Sequence, residues 1–169
     1  MKSIYIIGSL RNPNIPMLGN DLRALGLDVF EDWFSSGPET DDFWQKYETT
    51  RGRNYEEALN GYTAKHVFEF DKLHLDRTDG AVLLTPAGKS GHLELGYTLG
   101  RGKPGFILFD KEPERWDVMY QFATAIFFDR QKFLDYIANL AEPLIEPGKA
   151  VGKINPFWPG SPNFQHGRS

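Results

Sequence analysis

The chain has 169 residues, 40% of them hydrophobic and 25% charged, which is the length of one domain with room for a sizeable core. Its 19 Lys and Arg against 23 Asp and Glu give a formal charge of −4 at pH 7, and the basic residues are scattered rather than gathered in a stripe, which argues against a duplex nucleic-acid binder. It has no Cys, so disulfides, thiol catalysis and Cys-ligated zinc are excluded, and no apolar run reaches the roughly 18–20 residues of a membrane span.

Met1-Lys2-Ser3 leads directly into Ile4-Tyr5-Ile6-Ile7 without a signal-peptide pattern, so the expectation is a soluble cytoplasmic protein. Ile4 to Ile7 is β-branched and aromatic, ends at Gly8, and reads as a buried first strand. Pro16 to Leu25 reads as a helix stopped by Gly26, and Leu27 to Phe30 as a second strand. A polar loop from Asp32 to Thr40 carries Trp33 and Phe34. A short helix is expected over Asp41 to Thr49, capped by Asp41 or Thr40. Asn54 to Arg77 is a longer helical stretch with a break near Gly61.

Gly80 to Thr85 is the clearest strand, continuous and apolar as central parallel strands are. Gly91 to Leu99 reads as helix, Gly105 to Phe109 as strand and Pro113 to Phe122 as helix. Ala125 to Phe128 is a fifth strand and Gln131 to Leu140 a last helix. The alternation predicts an α/β fold, a parallel sheet with helices on both faces, over residues 1–142. Residues 143–169 form a tail rich in Pro and Gly that carries Phe157, Trp158 and Phe164. Ligands of such sheets sit at the carboxyl ends of strands, beside helix N-termini.

Three places there hold chemistry. After the first strand, Gly8-Ser9-Leu10-Arg11-Asn12 offers a tight turn, free amides, a hydroxyl and a guanidinium for an anion; the alternative is an ordinary strand-to-helix turn that holds an Arg. After the central strand, Gly88-Lys89-Ser90 suggests a P-loop, but that motif needs a Gly where Leu83 stands. Glu94 falls in the first turn of the helix expected from Gly91, where the positive end of the helix keeps a carboxylate ionised and suits a nucleophile; a Glu is also ordinary in any first turn.

The third place is an anomaly of periodicity. Ala64, Val67, Phe68, Leu75 and Thr78 share one helix face, and Asp71 interrupts that stripe. It is either a structural Asp with a backbone or Arg partner, or a carboxyl whose burial raises its pKa into the range of a general acid. Asp79, just before the central strand, either caps a turn or faces the cleft. His92 either lines the pocket near Glu94 or lies on the surface. His66 and His74 fall on different helix faces, so no metal constellation is expected. An ionised carboxylate paired with a proton-holding carboxyl is the equipment for glycosidic bond cleavage.

These residues resemble the nucleoside 2-deoxyribosyltransferase superfamily. The likeness is carried by Ile4 to Arg11, Phe70-Asp71, Thr78-Asp79-Gly80-Ala81-Val82, and Leu93-Glu94-Leu95-Gly96-Tyr97 through Gly102-Lys103-Pro104. It implies a flavodoxin-like or Rossmann-like five-stranded parallel sheet and a retaining mechanism. In that mechanism Glu94 is the nucleophile, Asp71 the acid that helps the base depart, and Asp79 a second acidic position. Some of the family's transferases hold the sugar's 5′-hydroxyl with an Asp where this chain has Gly88. Gly8-Ser9-Leu10-Arg11 is instead similar to the phosphate loop of the 2′-deoxynucleoside 5′-monophosphate N-glycosidase branch, and Lys89 and Ser90 fit the same purpose.

The expected substrate is therefore a nucleoside or nucleotide, with bond cleavage followed by transfer or by hydrolysis; a silent nucleotide-binding module and cleavage of a dinucleotide such as NAD are the alternatives. Trp33, Phe34, Phe43 and Trp44 either stack on a base and exclude water or pack a subunit interface. The resemblance further implies a homodimer or higher homo-oligomer. No cofactor, no membrane and no nucleic-acid partner are expected.

Overall fold

The computed structural model describes residues 1–141; the tail expected over 143–169 lies outside the described residues. Five strands, β1 (Ser3–Ile7), β2 (Asp28–Phe30), β3 (Ala81–Leu84), β4 (Gly105–Leu108) and β5 (Ala125–Phe127), form one sheet in the order β2-β1-β3-β4-β5. Every neighbouring pair is parallel. The helices are α1 (Asn14–Ala24), α2 (Thr40–Thr50), α3 (Tyr55–Leu59), α4 (Tyr62–Arg77), α5 (Lys89–Gly100) and α6 (Arg130–Leu140). None of these is long and apolar enough to cross a membrane.

The period of two along each strand sorts the core into two layers. Ile4 and Ile6 of β1, Val82 and Leu84 of β3, and Phe106 and Leu108 of β4 meet Ile15, Leu18 and Leu22 of α1 and Phe133 and Ile137 of α6. On the other face Tyr5, Ile7, Ala81, Leu83 and Ile107 meet Leu75 of α4 and Leu95 of α5. Strands buried on both faces explain why β1, β3 and β4 read as continuous apolar runs. The order reverses between β1 and β3, so the loops that leave their carboxyl ends diverge and open a crevice.

Local chemistry sets the boundaries. The long helical stretch breaks at Gly61, as expected. Asn54 starts α3 with a capping box, its side chain accepting from Glu57 N while Glu57 returns a bond to Asn54 N. Asp129 caps α6 by accepting from Lys132 N. Lys103 closes α4: its ammonium donates to the carbonyls of Leu75, Asp76 and Thr78 at 2.9, 2.7 and 2.7 Å, taking up groups that a helix end leaves unpaired.

Three expectations are corrected. The Asp32 to Thr40 loop contains a 3-10 helix over Asp32–Ser36, and α2 has no side-chain cap from Asp41 or Thr40, its N-cap being Glu39. The helix expected over Pro113 to Phe122 is only a 3-10 turn, Val118–Phe122. Trp116, Val118, Met119 and Phe122 there are 57–80% exposed, so no apolar face is buried to hold an α-helix.

Candidate active site

A cavity of about 370 Å³ opens at the carboxyl ends of β1 and β3. Gly8, Ser9, Leu10 and Arg11 form one wall, Gly88 and Ser90 another, and Trp33 with Ser36, Pro38, Thr40 and Asp41 an arch over it. Tyr5, Asp71 and Glu94 stand at its floor, with Val67 beside them. Asp71, Ser90 and Glu94 also line a second cavity of about 360 Å³ that continues the crevice between α4 and α5, past Phe68, Leu75, Leu93 and Tyr97. The two carboxyls, distant in sequence, thus face one crevice.

Close approach of backbone builds the floor. A Cβ added at Gly91 would lie 3.0 Å from Ile7 Cγ2 and 3.1 Å from Leu83 Cδ1, so the missing side chain lets α5 settle onto β1 and β3. At Gly8 a Cβ would run into the Ile15 side chain, which fixes the tight turn out of β1. Asn12, 4% exposed, ties that turn to the end of β3 by donating to Thr85 O at 3.3 Å and accepting from Asn14 N at 3.0 Å. Trp33 Nε1 donates to Ile6 O at 2.9 Å and anchors the arch to β1.

Burial governs the electrostatics. It raises Asp71 from its ordinary 3.8 to about 6, the direction expected of a carboxyl in an apolar stripe. Glu94 is raised from 4.5 to about 7, by burial first and by the charge of Asp71 second. This overturns the expectation that a helix N-terminus holds Glu94 ionised. The helix begins at Lys89, two residues earlier than expected, so Glu94 lies beyond the first turn, which has no acidic residue. The helix dipole fades within that turn and desolvation wins. Tyr5, 1% exposed, has its phenol pushed upward by burial and by the charges of Glu94 and Asp71, and it stays protonated beside them.

Several expected site residues stand elsewhere. Asp79 lies at the opposite, amino end of the sheet, where its carboxylate accepts from Lys2 N and Ser3 N at 2.6 and 3.1 Å; it staples β1 to the start of β3. Lys89 is exposed and outside the cavity lining. His92 turns to the far side of α5, with Nδ1 2.8 Å from Gly88 O and Nε2 3.0 Å from Tyr120 Oη. Of the four aromatics only Trp33 reaches this cavity. Phe34 packs edge-on against Trp33, Phe43 is 63% exposed, and Trp44 lines a separate cavity beside α2 and α3. The apolar stripe along α4 is buried at its C-terminal end, at Leu75 and Thr78, while Val67 and Phe68 are 52% and 64% exposed. Those two cover the crevice rather than the core.

Sequence reasoning missed Tyr5. Its one signal was a polar-tipped aromatic inside an otherwise aliphatic central strand. Among the described residues, no group of three or more His, Asp and Glu side chains could hold a metal ion.

The fold is similar to two solved enzymes. One is a 2-deoxyribosyltransferase from the psychrotolerant bacterium Bacillus psychrosaccharolyticus, with a TM-score of 0.58 and 19% identity over 82% of this chain and 96% of that one. The other is the CMP N-glycosidase of Clostridium botulinum, with a TM-score of 0.50 and 13% identity over 80% and 98%. No protein-family model and no curated protein sequence matches the chain.

Proposed function

We propose that the protein cleaves the N-glycosidic bond of a 2′-deoxynucleoside or its 5′-monophosphate by double displacement through Glu94. One observation carries this reading: two half-buried carboxyls, both with raised proton affinity, face a single crevice at the reversal of strand order. Two folds similar to this one belong to enzymes named for deoxyribosyl transfer and for N-glycosidic cleavage, which supports the same chemistry.

In the first step a Glu94 oxygen bonds to the anomeric carbon as the bond from that carbon to the base nitrogen breaks. The bonding pair leaves on the base, and Asp71 delivers the proton that neutralises it. In the second step an acceptor, a second base or water, attacks the same carbon and Glu94 departs as carboxylate. The acceptor's proton returns to Asp71. Tyr5, protonated throughout, lines the same cavity as the two carboxyls. The turn from Gly8 to Arg11, with Gly88 and Ser90 opposite, holds the 5′ end of the sugar, and Trp33 closes the arch over it.

The productive form carries one proton on the pair, with Glu94 ionised and Asp71 protonated. Incubation with deoxynucleosides and their 5′-monophosphates, with free base followed by chromatography, tests the reading. Base release, together with a deoxyribosyl mass increment on the peptide that contains Glu94, is the expected result. A second base in the mixture separates transfer from hydrolysis. No release from any substrate, or full activity in Glu94→Ala, overturns it.

A further inference from the structure

Between α4 and α5, at the level of the two carboxyls, lies a cavity of about 360 Å³ rather than packed side chains. Leu75 of α4 and Leu95 of α5 share one buried apolar cluster on the sheet, but the crevice beside them is open at Asp71 and Glu94, so polar groups that span it help to set its width. Tyr97 follows Glu94 by one turn on α5, and its hydroxyl donates to Asp76 Oδ1 on α4 at 2.7 Å. The Arg101 guanidinium, just past the end of α5, adds an ion pair to the same Asp76 oxygen at 3.7 Å. Asp76 follows Asp71 on α4 and is held at its other oxygen by Lys72 Nζ at 2.6 Å. Lys72 Nζ and the Arg101 guanidinium also lie over the Tyr97 ring, 5.3 and 6.0 Å from its centroid.

We infer that Tyr97, through its bond to Asp76, is a positioning residue that sets the separation of Glu94 and Asp71. The inference rests on the function proposed above for those two carboxyls. The C-terminal end of α4 is already fixed by Lys103, so the Tyr97 bond, with the Arg101–Asp76 ion pair beside it, bears on how far the helices open above that point. A shift of the order of 1 Å in a reacting pair is enough to cost about 100-fold in rate, and the same opening admits water to the carboxyls. The charged and titratable groups that share a cavity with Glu94 are Asp71 and Lys72 from α4, Tyr97 from its own helix, Tyr5 from β1, Asp41 from α2 and, at the rim, Arg11.

The test compares Tyr97→Phe, Asp76→Ala and Asp76→Asn with the unaltered chain. Tyr97→Phe keeps the ring and its packing and removes only the hydroxyl. Its kcat for base release falls by about tenfold or more while KM stays within about twofold. In 13C spectra the Glu94 carboxyl titrates below its position in the unaltered chain, because water reaches it. Asp76→Ala reproduces both effects. Asp76→Asn, which keeps an acceptor for the Tyr97 hydroxyl, restores both. Unchanged kcat and unchanged Glu94 titration in Tyr97→Phe overturn the inference, and so does lower thermal stability without a shift in that titration. If the unaltered chain releases no base, the function above fails, and the carboxyl titration still decides whether Tyr97 sets the environment of the pair.

Discussion

Arg11 Nη2 stands 3.0 Å from Asp42 Oδ2 at the mouth of the crevice, with the two side chains 65% and 67% exposed. The pair joins the turn after β1 to the first turn of α2 and occupies Arg11, the one cationic side chain among the described residues that lines the cavity at the carboxyl ends of β1 and β3.

A substrate phosphate must take Arg11 from Asp42. An exposed ion pair is worth about 0.2–1 kcal/mol, and a charge-assisted bond to phosphate is stronger, so a 5′-monophosphate displaces Asp42. Asp42→Asn is therefore expected to raise kcat/KM for 5′-monophosphates by about two- to fivefold and to leave free nucleosides unchanged. Arg11→Ala lowers the monophosphate value by about tenfold or more. The ratio of kcat/KM values for the two substrate classes is the measurement, and an unchanged ratio in both variants removes Arg11 from phosphate recognition.

Activity is expected to follow a bell in pH with limbs near about 6 and about 7, the values to which burial raises Asp71 and Glu94. Below the window both carboxyls are protonated and no nucleophile remains; above it both are ionised and no acid remains. The pH profile of kcat/KM on a free nucleoside reports this pair without the titration of a phosphate. A rate that climbs steadily to pH 9 would speak against an acid role for Asp71.

Glu94→Gln is expected to abolish base release and to stabilise the fold at alkaline pH. A carboxyl whose folded pKa is raised binds its proton more tightly when folded, so stability falls as pH rises from the ordinary 4.5 through about 7. Above that window the unaltered chain carries the whole cost of a buried charge, on the order of 1–3 kcal/mol. Thermal melts at pH 8.5 show the gain, and melts at pH 4, below both values, show little of it.

Lys103→Met leaves the carbonyls of Leu75, Asp76 and Thr78 without their common donor. Charge-assisted bonds at a partly buried helix end place the loss at roughly 2–3 kcal/mol. Urea unfolding measures it. A midpoint unchanged from the unaltered chain would mean that water replaces the ammonium at no cost.

Patterning carried the fold. Ile4 to Ile7 and Ala81 to Leu84 are short runs without a charged residue, bounded by Gly and rich in β-branched side chains, as strands covered on both faces are. Asp71 was visible for the converse reason, as a charge set inside an apolar stripe. Glu94 and the turn from Gly8 to Arg11 stood out because they follow two apolar strands of a parallel sheet, whose carboxyl ends are where ligands bind. The extent of each element was less legible. Lys89 begins α5 two residues early, and that shift moved Glu94 out of the reach of the helix dipole and left burial to set its pKa.

The chain alone therefore determined the layered parallel sheet, the separation of its helices at Gly61, and the presence of one acid inside an apolar helical stripe and another in the helix that follows the central strand. These follow from local propensity and from a period of two or 3.6, which any short window contains. Tertiary structure alone decided that Tyr5 stands under the acids, that Asp79 and His92 turn away from them, and that Tyr97 reaches Asp76 and Arg11 reaches Asp42. Each of those depends on where two distant segments lie relative to one another, and no periodicity within a segment encodes that distance.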